Sequence, residues 1–469
     1  MRERRVRGKG EKGKGGSGKE KLRRFRSSSL FILRCVASFS IFALALLPFP
    51  HLPSSPFSPT VAARAGVVST GTREGRLEVF DDAWWTIQNL YYDPWFHGVD
   101  WREQRNLFRP LAAEAQTEKE FYAILRRMVG TLNDAHTRVF APEEKFDWQR
   151  PRFISVGVSV REVDGEPTVV SVERDSQAAR AGLRAGDVIA SIDNTPALTI
   201  FERRMNEQGG SSTVAAARLR AMATVFDGAP GSSVKVVWTD GRGRRREAEL
   251  VREWEEREPA LRAQRLRGGF ALVEFSAFTP EIARDFMRSL SEQLSNTRGL
   301  IIDLRNNGGG DAEAMTEIAS AFLPAGDSLG QFMDRAGRIA LEPRTRSALL
   351  FSSDSITHTN APLVIITSER TSSAAEIFVA AMERAGRAMT VGSPTCGCVL
   401  AIRRAHTLPD GGQLDVSEMD YRTAGGARLE GVGLAPDEKI VLERRDLLAH
   451  RDRALDRAVE LLSARARNR

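Results

Sequence analysis

Two short apolar runs, Leu300–Leu304 and Leu363–Thr367, each end in a small or polar turn and pass into a helical pattern. Runs of this length bounded by turn signals read as strands buried on both faces. Parallel strands need crossover helices that cover the sheet, so this alternation admits few architectures. From Gly269 the chain therefore predicts an α/β layer: strand Phe270–Phe275, helix Pro280–Leu294, strand Leu300–Leu304, helix Ala312–Phe322, strand Leu363–Thr367 and helix Ala374–Arg384. A β-rich stretch reaches Asp437, and a charged amphipathic helix over Arg444–Ala464 closes the chain.

Upstream the pattern differs. Residues 74–150 read as helices, with Leu77, Phe80, Ala83, Trp84, Ile87 and Tyr91 at three- and four-residue steps and a second helix through Phe121, Leu125 and Val129. After Pro151 the chain turns β-rich: Val156, Val158 and Val160 alternate with small residues, and Val234–Trp238 and Glu247–Val251 form a hairpin. The fold class is multidomain α/β: helical domain 74–150, β-rich domain 152–253, α/β domain 256–445 and a C-terminal helix 446–469.

The chain has 469 residues and a net charge of +7, but the charge is unevenly placed. Residues 1–26 hold twelve Lys or Arg against three Glu, a net +9, and the other 443 carry 56 basic and 58 acidic residues, a net −2. The basic balance thus belongs to a leader and gives no reason to expect nucleic-acid binding. Behind it, Ser29–Leu47 is apolar, Pro48–Pro59 is Pro-rich, and Ala63-Arg64-Ala65 is a small-x-small cleavage signature. Residues 1–65 read as a secretory signal or, through 29–47, as a membrane anchor, so the expected location is exported: periplasm, cell surface or inner membrane. Three Cys exclude a disulfide scaffold and a multi-cysteine zinc site, and no His pair has metal-ligand spacing.

Three segments carry chemistry. Ser372-Ser373 stands where a strand turns into a helix, beside free N–H groups, which suits either an N-cap with Glu376 as partner or an exposed nucleophile. Asp303-Leu304-Arg305-Asn306-Asn307-Gly308-Gly309-Gly310 is a glycine turn whose amides can face an anion, with no nucleotide signature. The third is Leu132-Asn133-Asp134-Ala135-His136-Thr137.

Together these segments resemble the C-terminal processing (tail-specific) serine peptidases and their tricorn-type relatives. The glycine turn resembles the family's Asp-Leu-Arg-x-Asn-x-Gly-Gly, Arg370–Ile377 its nucleophile segment, and Gly392-Ser393-Pro394-Thr395-Cys396-Gly397 its Gly-Glu-Pro-Thr-x-Gly. The resemblance implies a crotonase-like core with Ser373 as nucleophile and the N–H groups of Gly309 and Ala374 as oxyanion hole, without metal or organic cofactor. It also implies an inserted PDZ domain over 152–253. There Val156, Gly157 and Val158 would receive protein or peptide substrates through extended or C-terminal segments. One departure stands out. The Lys that serves tail-specific peptidases as general base, twenty-five residues after the nucleophile, is Cys398 here, and no Lys lies between Ser373 and Lys439. The tricorn-type branch uses a His from the helical domain, which corresponds to His136, and a Glu, which corresponds to Glu430; its auxiliary Ser before the His is Ala135 here. The resemblance thus implies an exported serine endopeptidase of Ser-His type, with an inactive PDZ-bearing binding protein or a small-ester hydrolase as alternatives. Two expectations follow: an activity ionisation near the ordinary imidazole value of about 6.5, and either free thiols or a short-loop disulfide at Cys396 and Cys398.

Overall fold

The computed structural model describes residues 68–144, 152–256, 258–292, 294, 296–347 and 359–467. The leader, with its cleavage or anchoring, lies outside these residues, and no described helix is long and apolar enough to cross a membrane.

Three helices open the described chain: α1 (Arg73–Leu90), α2 (Trp101–Glu114) and α3 (Glu118–Gly130). Thr72, Asp100 and Thr117 cap them by accepting first-turn N–H groups, as short oxygen side chains do at N-caps. The α1 stripe buries Phe80, Ala83, Trp84 and Ile87. Part of the core it meets comes from far along the chain: Leu400, Leu408, Leu414 and Val416 complete it. Strand Arg138–Phe140 likewise pairs antiparallel with Gln413–Asp415. The helical segment is thus one wall of a core that the C-terminal half finishes.

The β-rich segment forms an antiparallel sheet in the order Val158–Val163, Glu166–Val172, Val188–Ile192, Ser233–Thr239, Arg245–Val251. Helices α4 (Gln177–Ala181), α5 (Ala197–Gln208) and α6 (Val214–Ala223) accompany it. Val160, Val169, Ile189, Phe201, Met222 and Trp238 fill its core. Strand Val158–Val163 lies at the sheet edge, and α6 packs against it.

The remaining layer is a six-stranded sheet in the order Leu261–Arg265, Phe270–Phe275, Gly299–Asp303, Leu363–Thr367, Ala388–Gly392, Glu438–Lys439, with only the first strand antiparallel to its neighbour. Helices α7 (Pro280–Glu292), α8 (Ala312–Ser320) and α9 (Ala374–Arg384) contribute to the core on one face with Leu300, Ile302, Leu363 and Ile365. The intervening Ile301, Val364 and Ile366 face the other side. Side chains alternate along a strand, so covering both faces explains why these runs are apolar without a break.

The single closing helix expected over Arg444–Ala464 is in fact two, α10 (Arg444–Leu448) and α11 (Arg453–Arg467). His450 takes a left-handed conformation, φ 50, between them, and Asp452 then starts a new helix by accepting the Leu455 N–H at 3.0 Å. Side-chain capping makes that break cheap. Helix α11 lays Ala454, Ala458 and Leu462 on the sheet's second face.

Candidate active site

The strand Leu363–Thr367 delivers the chain to the turn before α9, and side chains tie that turn to the glycine turn beside it. Ser368 Oγ donates to Arg305 O at 2.6 Å, Thr371 Oγ1 to Leu304 O at 2.8 Å, and Ser372 N to Asn307 O at 3.1 Å. At the corner Ser373 has φ 55 and ψ −124, a conformation that costs a non-glycine residue about 1–3 kcal/mol and persists only where its surroundings enforce it. They do so here through its N–H, which donates to Cys398 O at 2.9 Å and to Glu376 Oε2 at 3.2 Å. The expected capping box between Ser373 and Glu376 is present, with the Glu376 carboxyl taking the Ser373 N–H, although the Ser373 hydroxyl accepts no cap bond of full geometry. Gly309 is fitted against this corner: a Cβ there would stand 2.6 Å from Ser373 Cβ and 2.8 Å from Ser372 O.

Glu376 is the hub beneath the serine. It is fully buried, and its carboxyl accepts Thr395 Oγ1 at 2.6 Å, Gly397 N at 2.7 Å and Cys398 N at 2.9 Å besides the Ser373 N–H. Burial pushes its pKa up against the pull of those donors. Sequence reasoning saw only a cap partner here, because its further donors lie some twenty residues away. Cys396 and Cys398, which those amides flank, are joined in a disulfide.

The two expected oxyanion donors differ. Ala374 opens α9, and first-turn N–H groups have no partner within their own helix. The Gly309 N–H instead donates to Asn307 Oδ1 at 2.9 Å, so of this pair only the Ala374 donor stands ready.

His136 follows α3 in a loop organised by Asp134. The Asp134 carboxylate accepts His136 N at 2.6 Å, Thr137 N at 2.7 Å, Thr137 Oγ1 at 2.5 Å and Ser417 Oγ at 3.0 Å. The imidazole is buried, and its Nδ1 has no hydrogen-bond partner among the described residues. Burial drives its pKa down to about 4, with Arg138 adding and Asp134 opposing. That revises the ordinary value expected from the sequence and leaves the ring neutral at pH 7.

Glu430 is also buried. Its Oε2 accepts Val399 N at 2.7 Å and Leu400 N at 3.2 Å, whereas Oε1 has no partner of full geometry among the described residues. Burial raises the carboxyl to about 7, against the pull of the Ser212 hydroxyl and the two amides and with a further push from Asp134.

Segment Cys396–Leu400 thus holds Ser373 through Cys398 O and Glu430 through two amides, while Ala135, beside His136, packs on both cysteines. Ser373, His136, Gly309 and Ala374 line one cleft of about 2890 Å³, and Glu430 is not among its lining residues. Of the PDZ-like positions, Gly157 has φ 82 and its N–H donates to Ser155 Oγ at 2.9 Å, and Val158 opens the edge strand. Arg218 of α6 reaches Glu162 of that strand with bonds of 2.8 and 2.6 Å.

Comparison with known proteins finds three matches along the chain. Residues 269–440 match peptidase family S41, 72–130 the tricorn protease C1 domain and 155–208 a PDZ domain. The chain is 29% identical over 396 residues to the chloroplastic carboxyl-terminal-processing peptidase 2 of Arabidopsis thaliana, spanning 79% of this chain and 70% of that protein. It is 28% identical over 373 residues to a carboxyl-terminal-processing protease of Picosynechococcus sp., spanning 77% and 82%. Among solved structures, a photosystem II D1 C-terminal processing protease shares the fold, with a TM-score of 0.52 at 23% identity over 79% of this chain and 93% of that one.

Proposed function

The chain belongs to peptidase family S41, the C-terminal processing serine peptidases, with a PDZ domain and a tricorn-type C1 domain, and on that premise we propose that it is an exported endopeptidase of Ser-His type. The observation that carries this reading is the corner at Ser373: its backbone is forced into a rare conformation at a helix N-terminus, its N–H is taken by Cys398 O, and Cys398, where the tail-specific pattern would have a lysine, is disulfide-bonded.

The neutral His136 ring removes the Ser373 hydroxyl proton as Oγ bonds to the scissile carbonyl carbon and the carbonyl pair moves onto oxygen. The Ala374 N–H stabilises that oxyanion, and a single such donor is worth about 10²–10³ in rate. Gly309 adds its N–H on yielding its bond to Asn307. Protonated His136 passes its proton to the leaving nitrogen as the C–N bond breaks. Water, deprotonated by the same ring, then cleaves the acyl ester and restores Ser373. Glu430 completes the site through charge and hydrogen bonding. The PDZ groove between strand Val158–Val163 and α6 takes the substrate's extended C-terminal segment as an added strand. Residues 1–65 direct export, as a cleaved signal or an anchor through 29–47.

A fluorophosphonate probe tests the reading. Label should localise to Ser373 by mass spectrometry and vanish in Ser373→Ala; a folded chain that takes no label would leave a PDZ-bearing binding protein.

A further inference from the structure

Glu430 Oε1 is a buried acceptor in need of a donor. Leaving such an atom unmet is costly, and its sister oxygen already serves Val399 and Leu400. Outside the catalytic layer two hydroxyls act near it: the buried Tyr91 Oη, which has no partner of full geometry among the described residues, and Ser212 Oγ, the one that acts on the Glu430 carboxyl as a hydrogen-bond donor. Ser212 lies between α5 and α6, and its Oγ accepts the Ala135 N–H at 3.0 Å. A hydroxyl that accepts one bond still has its own O–H to place, and this one acts on the Glu430 carboxyl, favouring the ionised form.

The segment is built into that position. Gly210 N donates to Gly130 O at 3.2 Å, Arg220 Nη2 donates to Gly209 O at 3.2 Å and to Gly210 O at 2.8 Å, and Thr213 Oγ1 donates to Cys396 O at 2.9 Å. Gly209, with φ 68, leaves no room for a side chain, since a Cβ there would stand 2.7 Å from Gly130 Cα, and a Cβ on Gly210 would displace the Asn133 side chain, whose Oδ1 would stand 1.6 Å away. The polar groups facing Glu430 come from several elements. Asp134 precedes His136 in its loop, Tyr91 and Tyr92 follow α1, and the Val399 and Leu400 amides come from the disulfide segment. Of the two tyrosines, Tyr91 interacts with both Asp134 and Glu430 without a hydrogen bond of full geometry, and Tyr92 is engaged by Arg428 at 2.8 Å.

We infer that Ser212 is a positioning residue of the catalytic centre: its hydroxyl bridges the Ala135 N–H and Glu430 Oε1, so that the PDZ domain completes the centre as well as supplying it with substrate. Ser212 touches neither substrate nor reacting atoms. It fixes the loop that carries His136 relative to the Glu430 carboxylate, and it supports the ionised form of that carboxylate.

The inference rests on Ser373 being the nucleophile, and the test separates the two. A small fluorophosphonate, which needs no PDZ groove, is reacted with the full chain from pH 5 to 9, and the rate of Ser373 labelling is followed. Removing a donor from an ionised carboxylate raises its pKa, so Ser212→Ala should move the ionisation near 7 upward by about one unit. It should also slow labelling about ten- to a hundredfold at pH 7, the scale of a hydrogen bond to a charged group, and Ser212→Thr should restore both. Labelling of Ser212→Ala at the wild-type rate and profile overturns the inference. So does a uniform loss at every pH that Ser212→Thr does not rescue, or a profile moved by Tyr91→Phe and not by Ser212→Ala. A wild-type chain that takes no label overturns the nucleophile reading itself, and this inference with it.

Discussion

Ser373, the proposed nucleophile, is half-buried at a corner that leaves room only for glycine opposite it. The Cβ position of Gly309 is 2.6 Å from Ser373 Cβ, and Gly309 itself has φ 95. Gly309→Ala should therefore abolish labelling at Ser373 by pushing the serine corner out of place, and a label rate within tenfold of wild type would show that the corner tolerates the displacement. The titrating groups give a second prediction. His136 is held down near 4 and Glu430 up near 7, so kcat/KM should rise with pH in two steps, as the imidazole loses its proton and then as the carboxyl does. Glu430→Gln should erase the upper step and keep the lower one. A single step near 6.5, the free imidazole value, would mean that His136 is solvated rather than buried.

Among elements, the local ones were legible in the sequence and the long-range ones were not. Strand Leu363–Thr367 and helix Ala374–Arg384 match their expected bounds, because two-sided burial and the turn residues between them are local signals. The split between α10 and α11 was missed, since Asp452 as an N-cap inside a charged helical pattern looks like any exposed acid. The roles of Glu376 and Ser212 depend on partners 19 to 218 positions away and leave no periodic trace. The disulfide segment carries its own prediction. In a chain lacking residues 1–65, which hold the remaining cysteine, Cys35, thiol titration should find no reactive thiol before reduction and two after it. Two thiols in the untreated protein would contradict the Cys396–Cys398 bond.

At the scale of the molecule, the proposed catalytic centre draws on three segments that the sequence presents as separate domains. The helical segment contributes His136 but shares its core with Leu400–Val416, and the PDZ segment reaches the centre through Ser212 and Thr213 and pairs Arg161 with Glu369 beside the serine turn. A PDZ domain that only delivered substrate would raise KM for unfolded protein when deleted and spare short peptides. With these contacts in place, deleting residues 153–252 should also lower kcat on a short peptide, and an unchanged kcat would confine the domain to delivery. The central claim is that the base comes from His136 and not from the nucleophile's own domain, and steady-state kcat of two variants measures it directly. His136→Ala should lose about three to four orders of magnitude, as when a serine–histidine unit loses a member. Cys398→Ser should keep most of the activity, because the Ser373 N–H is held by the Cys398 carbonyl and not by its sulfur. Turnover that survives His136→Ala and disappears in Cys398→Ser would contradict the account.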